Sequence, residues 1–388
     1  MSCRYLKIED FCSTGSGGTP SRSKPEYYEG GDIPWIKSGD LKDSKIYEAN
    51  EYITAAGLEN SSAKIVEKDS ILIAMYGATV GRLAILGINA ATNQAICNIR
   101  PDTTIADMKY LYYFLKSKFS YFVENAVGGA QPNISQGLIK SLEVPLPSLD
   151  EQKRIADILD KAAGVCQKRE QAIKLADDFL RAKFLEMFGT PANNIHRFPK
   201  GTIRDLVDSV NYGTSAKASI DSGEYPILRM GNITYQGRWD FTDLKYIDLS
   251  VKEKDKYLVK EGDLLFNRTN SKELVGKTAV YEEDRPMAFA GYLIRVRPNS
   301  IGNNYYISGY LNSIHGKITL MNMCKSIVGM ANINAQELQN IEILIPPKHL
   351  QDEYEIIYKK IKKGLSIYDK SAMQLQLLAS NLSNKYFM

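Results

Sequence analysis

The sequence predicts an α+β protein in which two repeated mixed α/β heads are separated by two long antiparallel coiled-coil helices, with a pseudo-twofold relating the halves. Three observations carry this. The chain repeats itself at roughly 200 residues. Each copy opens with strand-like and helix-like segments in the same order. Each copy then closes on a stretch without proline whose apolar positions step by threes and fours.

The repeat is read from matched segments. IEDFCSTGSGGT (Ile8 to Thr19) aligns with IRDLVDSVNYGT (Ile203 to Thr214), and PWIKSGDL from Pro34 with PILRMGNI from Pro226. VEKDSILI from Val66 meets VKEGDLLF from Val259, and VGR at Val80 meets VGK at Val275. IRPD at Ile99 pairs with VRPN at Val296. PNIS at Pro132 and LEVPLP at Leu142 pair with ANIN at Ala331 and IEILIP at Ile341, both at an offset of 199. Earlier offsets drift between 192 and 197, as loops of unequal length between shared strands require.

Within a copy, SILIAMYG, RLAILGI and QAICNIRP read as strands, because they are short apolar or alternating runs bounded by turn residues. DMKYLYYFLKSKFSYFVENAV reads as one helix, with NNYYISGYLNSIHGKITLMN as its counterpart. Breaks fall at GSGGTPS and YGATVG.

After VPLP, residues 150–188 contain no proline and one glycine, Gly164. The seam holds Ile155, Leu159, Ala162, Cys166, Arg169, Ile173, Ala176, Leu180, Lys183 and Met187. Adding 199 gives Tyr354, Tyr358, Ile361, Leu365, Tyr368, Ala372, Leu375, Ala379, Leu382 and Tyr386, so the register survives through both helices. A 39-residue helix spans roughly 58 Å. A single such helix could equally pack on its own domain. Two of matching length and register favour pairing seam to seam, with Ile155, Leu159, Ile173 and Leu180 set against Ile361, Leu365, Leu375 and Leu382. The predicted divisions are residues 1–148 and 189–348 for the heads, and 149–188 and 349–388 for the helices.

Composition narrows the chemistry. Apolar residues make up 44% and charged residues 24%, ordinary for a globular protein, and no run of 18 apolar residues offers a membrane span. The opening MSCRYLKIEDF lacks the basic-then-apolar pattern of a signal peptide. Cys3, Cys12, Cys97, Cys166 and Cys324 are scattered, as are His196, His315 and His349. No metal site or disulfide framework is expected, and a reducing cytoplasm is. Residues 1–148 carry 15 basic and 16 acidic side chains, a net of −1; residues 189–348 carry 20 and 17, a net of +3. A polyanion would have to be held by local patches or by a partner, not by bulk charge.

No catalytic constellation emerges. TGSGGTP (Thr14 to Pro20) comes nearest to a GxGxxG loop, but Pro20 sits where the helix should run. GxxxxGK[ST], Asp/Asn-Pro-Pro-aromatic, H-E-x-x-H and G-x-S-x-G are absent. Asp102 and the Glu151–Lys153 run are nearly fifty residues apart and do not share a strand, which sets a nuclease reading aside. What remains are turn-rich loops with basic, amide and hydroxyl groups, YGATVGR (Tyr76 to Arg82) and NRTNSKELVGK (Asn267 to Lys277). Such groups read base edges. The plain alternative for each is a solvated loop side chain.

These residues carry a resemblance. FCSTGSGGTP from Phe11, IPWIKSGDL from Ile33, ILIAMYGATVGR from Ile71, QPNIS from Gln131, LPSLDEQKRI from Leu146 and MFGTP from Met187 together resemble the specificity (S) subunit of type I restriction–modification systems, over essentially the whole chain. The resemblance implies that each head is a target-recognition domain, that the paired helices are a spacer, and that the target is bipartite double-stranded DNA. It implies two methyltransferase (M) subunits docked on the helices, with restriction (R) subunits joining them. S-adenosylmethionine, ATP and Mg would enter with those partners, and this chain would itself hold no cofactor, no metal and no catalytic residue. Candidate DNA contacts are Thr19, Arg22, Lys24, Lys37, Tyr76, Thr79, Arg82, Gln131 and Asn133 in the first head. In the second they are Tyr212, Lys217, Arg229, Arg268, Asn270, Lys272, Lys277 and Asn332. The second copy departs from the first at GTSA, from Gly213, and in a longer counterpart to YGATVG, as heads with different half-sites should. A specificity subunit of a related type IIB-like or phage-defence methyltransferase complex, and a coiled-coil adaptor that binds no DNA, stay open as alternatives.

The seam makes a prediction. Leu159→Asp or Ile361→Asp buries a carboxylate without a partner, which should cost several kcal/mol. Methylation by the complex should fall sharply in both variants, whereas wild-type activity in both would show that the helices do not pack along this seam.

Overall fold

The computed structural model describes residues 4–129, 131–324 and 331–387. The chain forms two compact units, Met1–Lys168 with Ser371–Met388, and Arg169–Lys370. Among the described residues no helix is long and apolar enough to cross a membrane.

In the first unit a five-stranded sheet runs in the order Cys12–Ser16, Ile96–Pro101, Ile71–Ala74, Leu83–Leu86, Lys45–Ile46. A four-stranded sheet runs Glu51–Ile53, Ile33–Ile36, Ala90–Thr92, Ile65–Val66, with the middle pair parallel. The central strand Ile71–Ala74 is buried on both faces because two layers cover it. Its odd side chains, Ile71 and Ile73, join Leu111, Phe114 and Leu115 from the helix layer. Its even ones, Leu72 and Ala74, join Ile36 and Leu86 on the opposite face. The period of two thus sorts one strand between two cores.

The second unit repeats the plan by itself. One sheet runs Val207–Tyr212, Leu293–Pro298, Leu264–Asn267, Thr278–Val280, and the other Lys245–Ile247, Tyr225–Leu228, Met287–Phe289, Leu258–Val259. Here too Leu264 and Phe266 face the helices while Leu265 faces Leu228 and Phe289. Ribbons of two strands, Arg4–Lys7 with Glu143–Leu146 and Lys200–Thr202 with Glu342–Leu344, finish the heads.

The segment expected as one helix per head is two. Met108–Ser117 gives way to Phe119–Glu124, and Asn304–Asn312 to Ile314–Met323. In the second unit Ser313 explains the break, since its hydroxyl accepts from the Gly316 amide at 3.0 Å and starts a new helix.

The long helices span Leu149–Phe188 and Lys348–Phe387, 40 residues each. In the first unit Ile155, Leu159 and Ala162 are buried, and Leu382, Tyr386 and Phe387 pack on the same cluster as Ile155 and Leu159. Arg154 Nη2 donates to the Tyr386 hydroxyl at 3.3 Å, so the start of one helix meets the end of the other and the pair is antiparallel. In the second unit Leu180, Tyr354 and Leu365 are buried. Ile173, Ile361, Leu375 and Leu382 are half-buried. The side chains of Tyr368 and Ala372 lie outside the described residues. One seam position is corrected: Lys183 pairs with Glu186 at 2.8 Å, while its neighbour Phe184 takes the core. A straight helix drifts about 20° per heptad against a strict seven-residue repeat, enough over several heptads to turn the next position inward.

Two duplicated contacts join helix to head. Gln152 and Gln351 are 0% exposed. Gln152 Nε2 donates to the carbonyls of Ile105 (3.1 Å) and Pro147 (2.9 Å), and Gln351 Nε2 to those of Ile301 (3.0 Å) and Pro346 (2.8 Å). Phe387 meets Tyr110 edge-on with ring centres 5.2 Å apart, and Phe188 meets Tyr306 at 4.7 Å. Those tyrosine hydroxyls donate to the carbonyls of Pro145 (2.6 Å) and Leu344 (2.8 Å), which are 199 residues apart. Phe387→Ala and Phe188→Ala should each cost about 3–5 kcal/mol, the range for emptying a buried aromatic site. Urea titration of the full chain measures this; a loss below 1 kcal/mol would deny these rings their closing role.

Candidate nucleic-acid interface

In both heads the same loops are tied into one rim by the same backbone bonds. In the first, Gly18 N–H donates to Thr92 O (2.8 Å), Met75 N–H to Ala95 O (2.7 Å), and Ile134 N–H to Met75 O (2.9 Å). In the second, Thr214 donates to Phe289 O (3.0 Å), Arg268 to Tyr292 O (3.0 Å), and Ile333 to Arg268 O (2.9 Å). Glycine begins each rim for a steric reason. A Cβ on Gly17 would lie 1.9 Å from Thr92 O, and one on Gly213 would lie 2.3 Å from Phe289 O. YGATVG and QPNIS therefore come together: Tyr76 bridges Asn133, as Thr269 pairs with Asn332.

In the first head, Arg22 lies over the rings of Tyr28 (4.3 Å) and Trp35 (5.1 Å) and pairs with Glu51 at 2.5 Å. Lys37 pairs with the other oxygen of Glu51. The hydrogen bond from Lys37, with that from Arg22, holds the Glu51 carboxyl below its ordinary range. Thr19 donates to Gln94, and Lys24 to the Tyr27 hydroxyl at 3.0 Å. Tyr76 is 46% exposed, and Thr79 donates to its carbonyl at 2.9 Å, closing the turn. Arg82 and Gln131 are exposed on the neighbouring loops, and Asn133 is half-buried between them and the core.

The second head has an open groove lined by Lys217, Arg229, Lys245, Asn270, Lys277 and Tyr292; among the described residues no acidic side chain lines it. Arg229 leans out to Asp243 (2.8 Å). Asn270 lines the groove, and its Oδ1 accepts from the Ser271 amide at 2.9 Å. Arg268 lies over the Tyr212 ring at 4.8 Å and donates from Nε to Asn332 Oδ1 at 3.3 Å, so three candidates form one preorganised group.

Two candidates change role. Lys277 is 7% exposed, and its ammonium donates to Met230 O at 2.8 Å; burial pulls its pKa below the ordinary lysine range. It is a strut of the groove wall. Lys272 lines a separate hollow with Arg181, Tyr235 and Lys317, on the far side of the turn that carries Leu274. Its spacing beside Asn270 in sequence does not survive a turn that points neighbours apart.

Sequence reasoning missed Glu51 between Arg22 and Lys37, Lys245 and Tyr292 in the second groove, and Gln152 and Gln351 at the helix starts. Glu51 and Lys245 fall between matched repeat segments, so only strand pairing locates them. The glutamines did carry a signal, each five residues beyond the proline that closes its ribbon.

With both rims described, the comparisons decide the family. Residues 4–175 and 198–379 each match the model of the type I restriction modification DNA specificity domain. The chain belongs to that family. Over 150 residues it is 33% identical to the EcoR124I/EcoR124II type I restriction enzyme specificity subunit of Escherichia coli, covering 37% of each chain. It is 24% identical over 405 residues to the MjaIX specificity subunit of Methanocaldococcus jannaschii, covering 98% of this chain and 91% of that one. Its fold is similar to that of the type I restriction–modification S subunit from M. genitalium, with a TM-score of 0.63, 16% identity, and 100% and 96% of the two chains covered. Both specificity domains thus place a cationic, amide-bearing rim on the same backbone frame.

The hollow behind the second rim makes a pH prediction. Lys317 Nζ is buried with no hydrogen-bond partner and sits 4.8 Å from the Tyr235 ring centre. Burial, reinforced by Arg181 and Lys277, lowers its pKa from 10.5 to about 8. The unfolded chain binds the extra proton between those values, so this group makes stability rise with pH across that window and fall as pH drops through 8. Urea midpoints of wild type minus Lys317→Met should climb from pH 8 to 10.5. A flat difference would place the amine in water.

Proposed function

We propose that this chain is the sequence-reading subunit of a type I restriction–modification enzyme, each head reading one half of a bipartite double-stranded DNA target. The chain itself catalyses nothing. Two methyltransferase subunits and the restriction subunits bring S-adenosylmethionine, ATP, Mg and the chemistry, in the cytoplasm where the chromosome lies. One observation supports this reading above the rest: the two rims share their backbone bonds and differ in their side chains. A duplicated frame with divergent edges is what recognition of two different half-sites needs, because phosphate contacts position a protein while base contacts specify.

Arg268 and Lys217 separate the two kinds of contact. Arg268 is held by Tyr212 and Asn332 in one orientation, which suits a bidentate bond to guanine. Lys217 is exposed at the groove mouth. Arg268→Ala should relax one position of one half-site, at a cost of about 1–3 kcal/mol. Lys217→Ala should weaken binding to all sequences alike and lower the salt slope by about 1. The methylated motif and salt-dependent binding of the complex with its methyltransferase measure both. An unchanged motif in Arg268→Ala with a uniform loss of affinity would make Arg268 a phosphate contact.

A further inference from the structure

The two heads share a frame in which one position is reversed in charge. In the first head Glu51 is the antiparallel partner of Trp35, and in the second Lys245 is the partner of Ile227. Each faces the equivalent strand, Ile33–Ile36 or Tyr225–Leu228, two residues before a cation, Lys37 or Arg229. Those two cations are fixed alike. The Lys37 amide donates to Asp40 Oδ2 and the Arg229 amide to Asn232 Oδ1, both at 2.8 Å. The position therefore differs between heads in side chain and not in backbone.

The neighbouring cations pair differently in the two heads. Glu51 takes Arg22 on one oxygen and Lys37 on the other. A carboxylate has about four lone-pair sites, so acceptor capacity remains, and Glu51 is 31% exposed. Lys245 lines the groove with Arg229 and, as a like charge, cannot bridge it; Arg229 pairs with Asp243. At this position the first head therefore presents a carboxylate acceptor between two cations, and the second presents an ammonium that lines the groove.

We propose that the position held by Glu51 and Lys245 is a specificity-determining position, at which the first head selects a base edge that carries an exocyclic amino group and the second selects guanine. The inference rests on the DNA-reading function proposed above. A carboxylate accepts from the amino group of cytosine or adenine and is repelled by the paired acceptors of guanine. An ammonium has the opposite preference.

The test uses the full chain in complex with its methyltransferase and reads the methylated motif on random-sequence DNA. Lys245→Glu should shift preference away from guanine at one base pair of the second half-site by about 5- to 150-fold. Glu51→Lys should shift one base pair of the first half-site toward guanine by a similar factor. The other half-site stays unchanged in each case. Lys245→Gln and Glu51→Gln, which are neutral and similar in size, should give the same directions with smaller factors and guard against a reversed charge that disturbs folding. An unchanged motif, or both half-sites weakened together, in variants that melt like wild type overturns the proposal. A wild-type complex that methylates without any preferred motif overturns instead the reading on which it rests.

Discussion

A phenylalanine from the far end of a long helix closes the core of each head. Phe387 seats against Tyr110 and Phe114, and Phe188 against Tyr306 and Tyr354. Edge-on aromatic pairs contribute about 0.5–1.5 kcal/mol beyond the area they bury. Their larger effect is topological. Lys118 and the Phe387 carbonyl it contacts are 269 residues apart, so the first unit is complete only when the last turns of the chain have arrived. The buried glutamines fix the other end, tying each helix start to the ribbon it leaves. A helix held at its start by Gln152 or Gln351 has little freedom in how it meets a head, and the loops of that head inherit this order.

That rigidity lets the rims diverge. The backbone bonds that link Gly18, Met75 and Ile134 recur at Thr214, Arg268 and Ile333, so side chains on the loops can change without moving the frame. Net charge is small in both heads, yet the second concentrates Lys217, Arg229 and Lys245 along one groove with no acidic lining residue among the described residues. Local arrangement supplies what bulk charge does not. The first head uses a different arrangement, with Arg22 stacked on two aromatic rings and shared with Lys37 by one carboxylate.

Much of this was legible in the residues. The repeat, the strands around SILIAMYG and QAICNIRP, the long helices and their seam all follow from spacing, because burial imposes periods of 2, 3.5 and 3.6 wherever a face is covered. Arg268, Tyr212 and Asn332 were each named among the candidate contacts. Their union was not, since Arg268 and Asn332 meet only through the pairing of Thr269–Asn270 with Ala331–Asn332. Lys183 shows where periodicity fails: the seam drifts, and Phe184 becomes the buried residue. Lys277 and Lys272 show where composition fails, because a lysine in a polar loop can still be a strut or lie behind the turn.

The amino-acid sequence by itself determined the duplicated architecture, the extents of the long helices and the loops that form the rims. These depend on apolar spacing, proline and glycine placement and the order of repeated segments, all of which act within short stretches of chain. Only the tertiary structure decided which cations line a groove, which are spent on carbonyls or carboxylates, and that Glu51 and Lys245 occupy one position. Those outcomes depend on strand register and on turns that set adjacent residues on opposite sides. A hydrogen bond between segments far apart in sequence leaves no periodic trace in either of them.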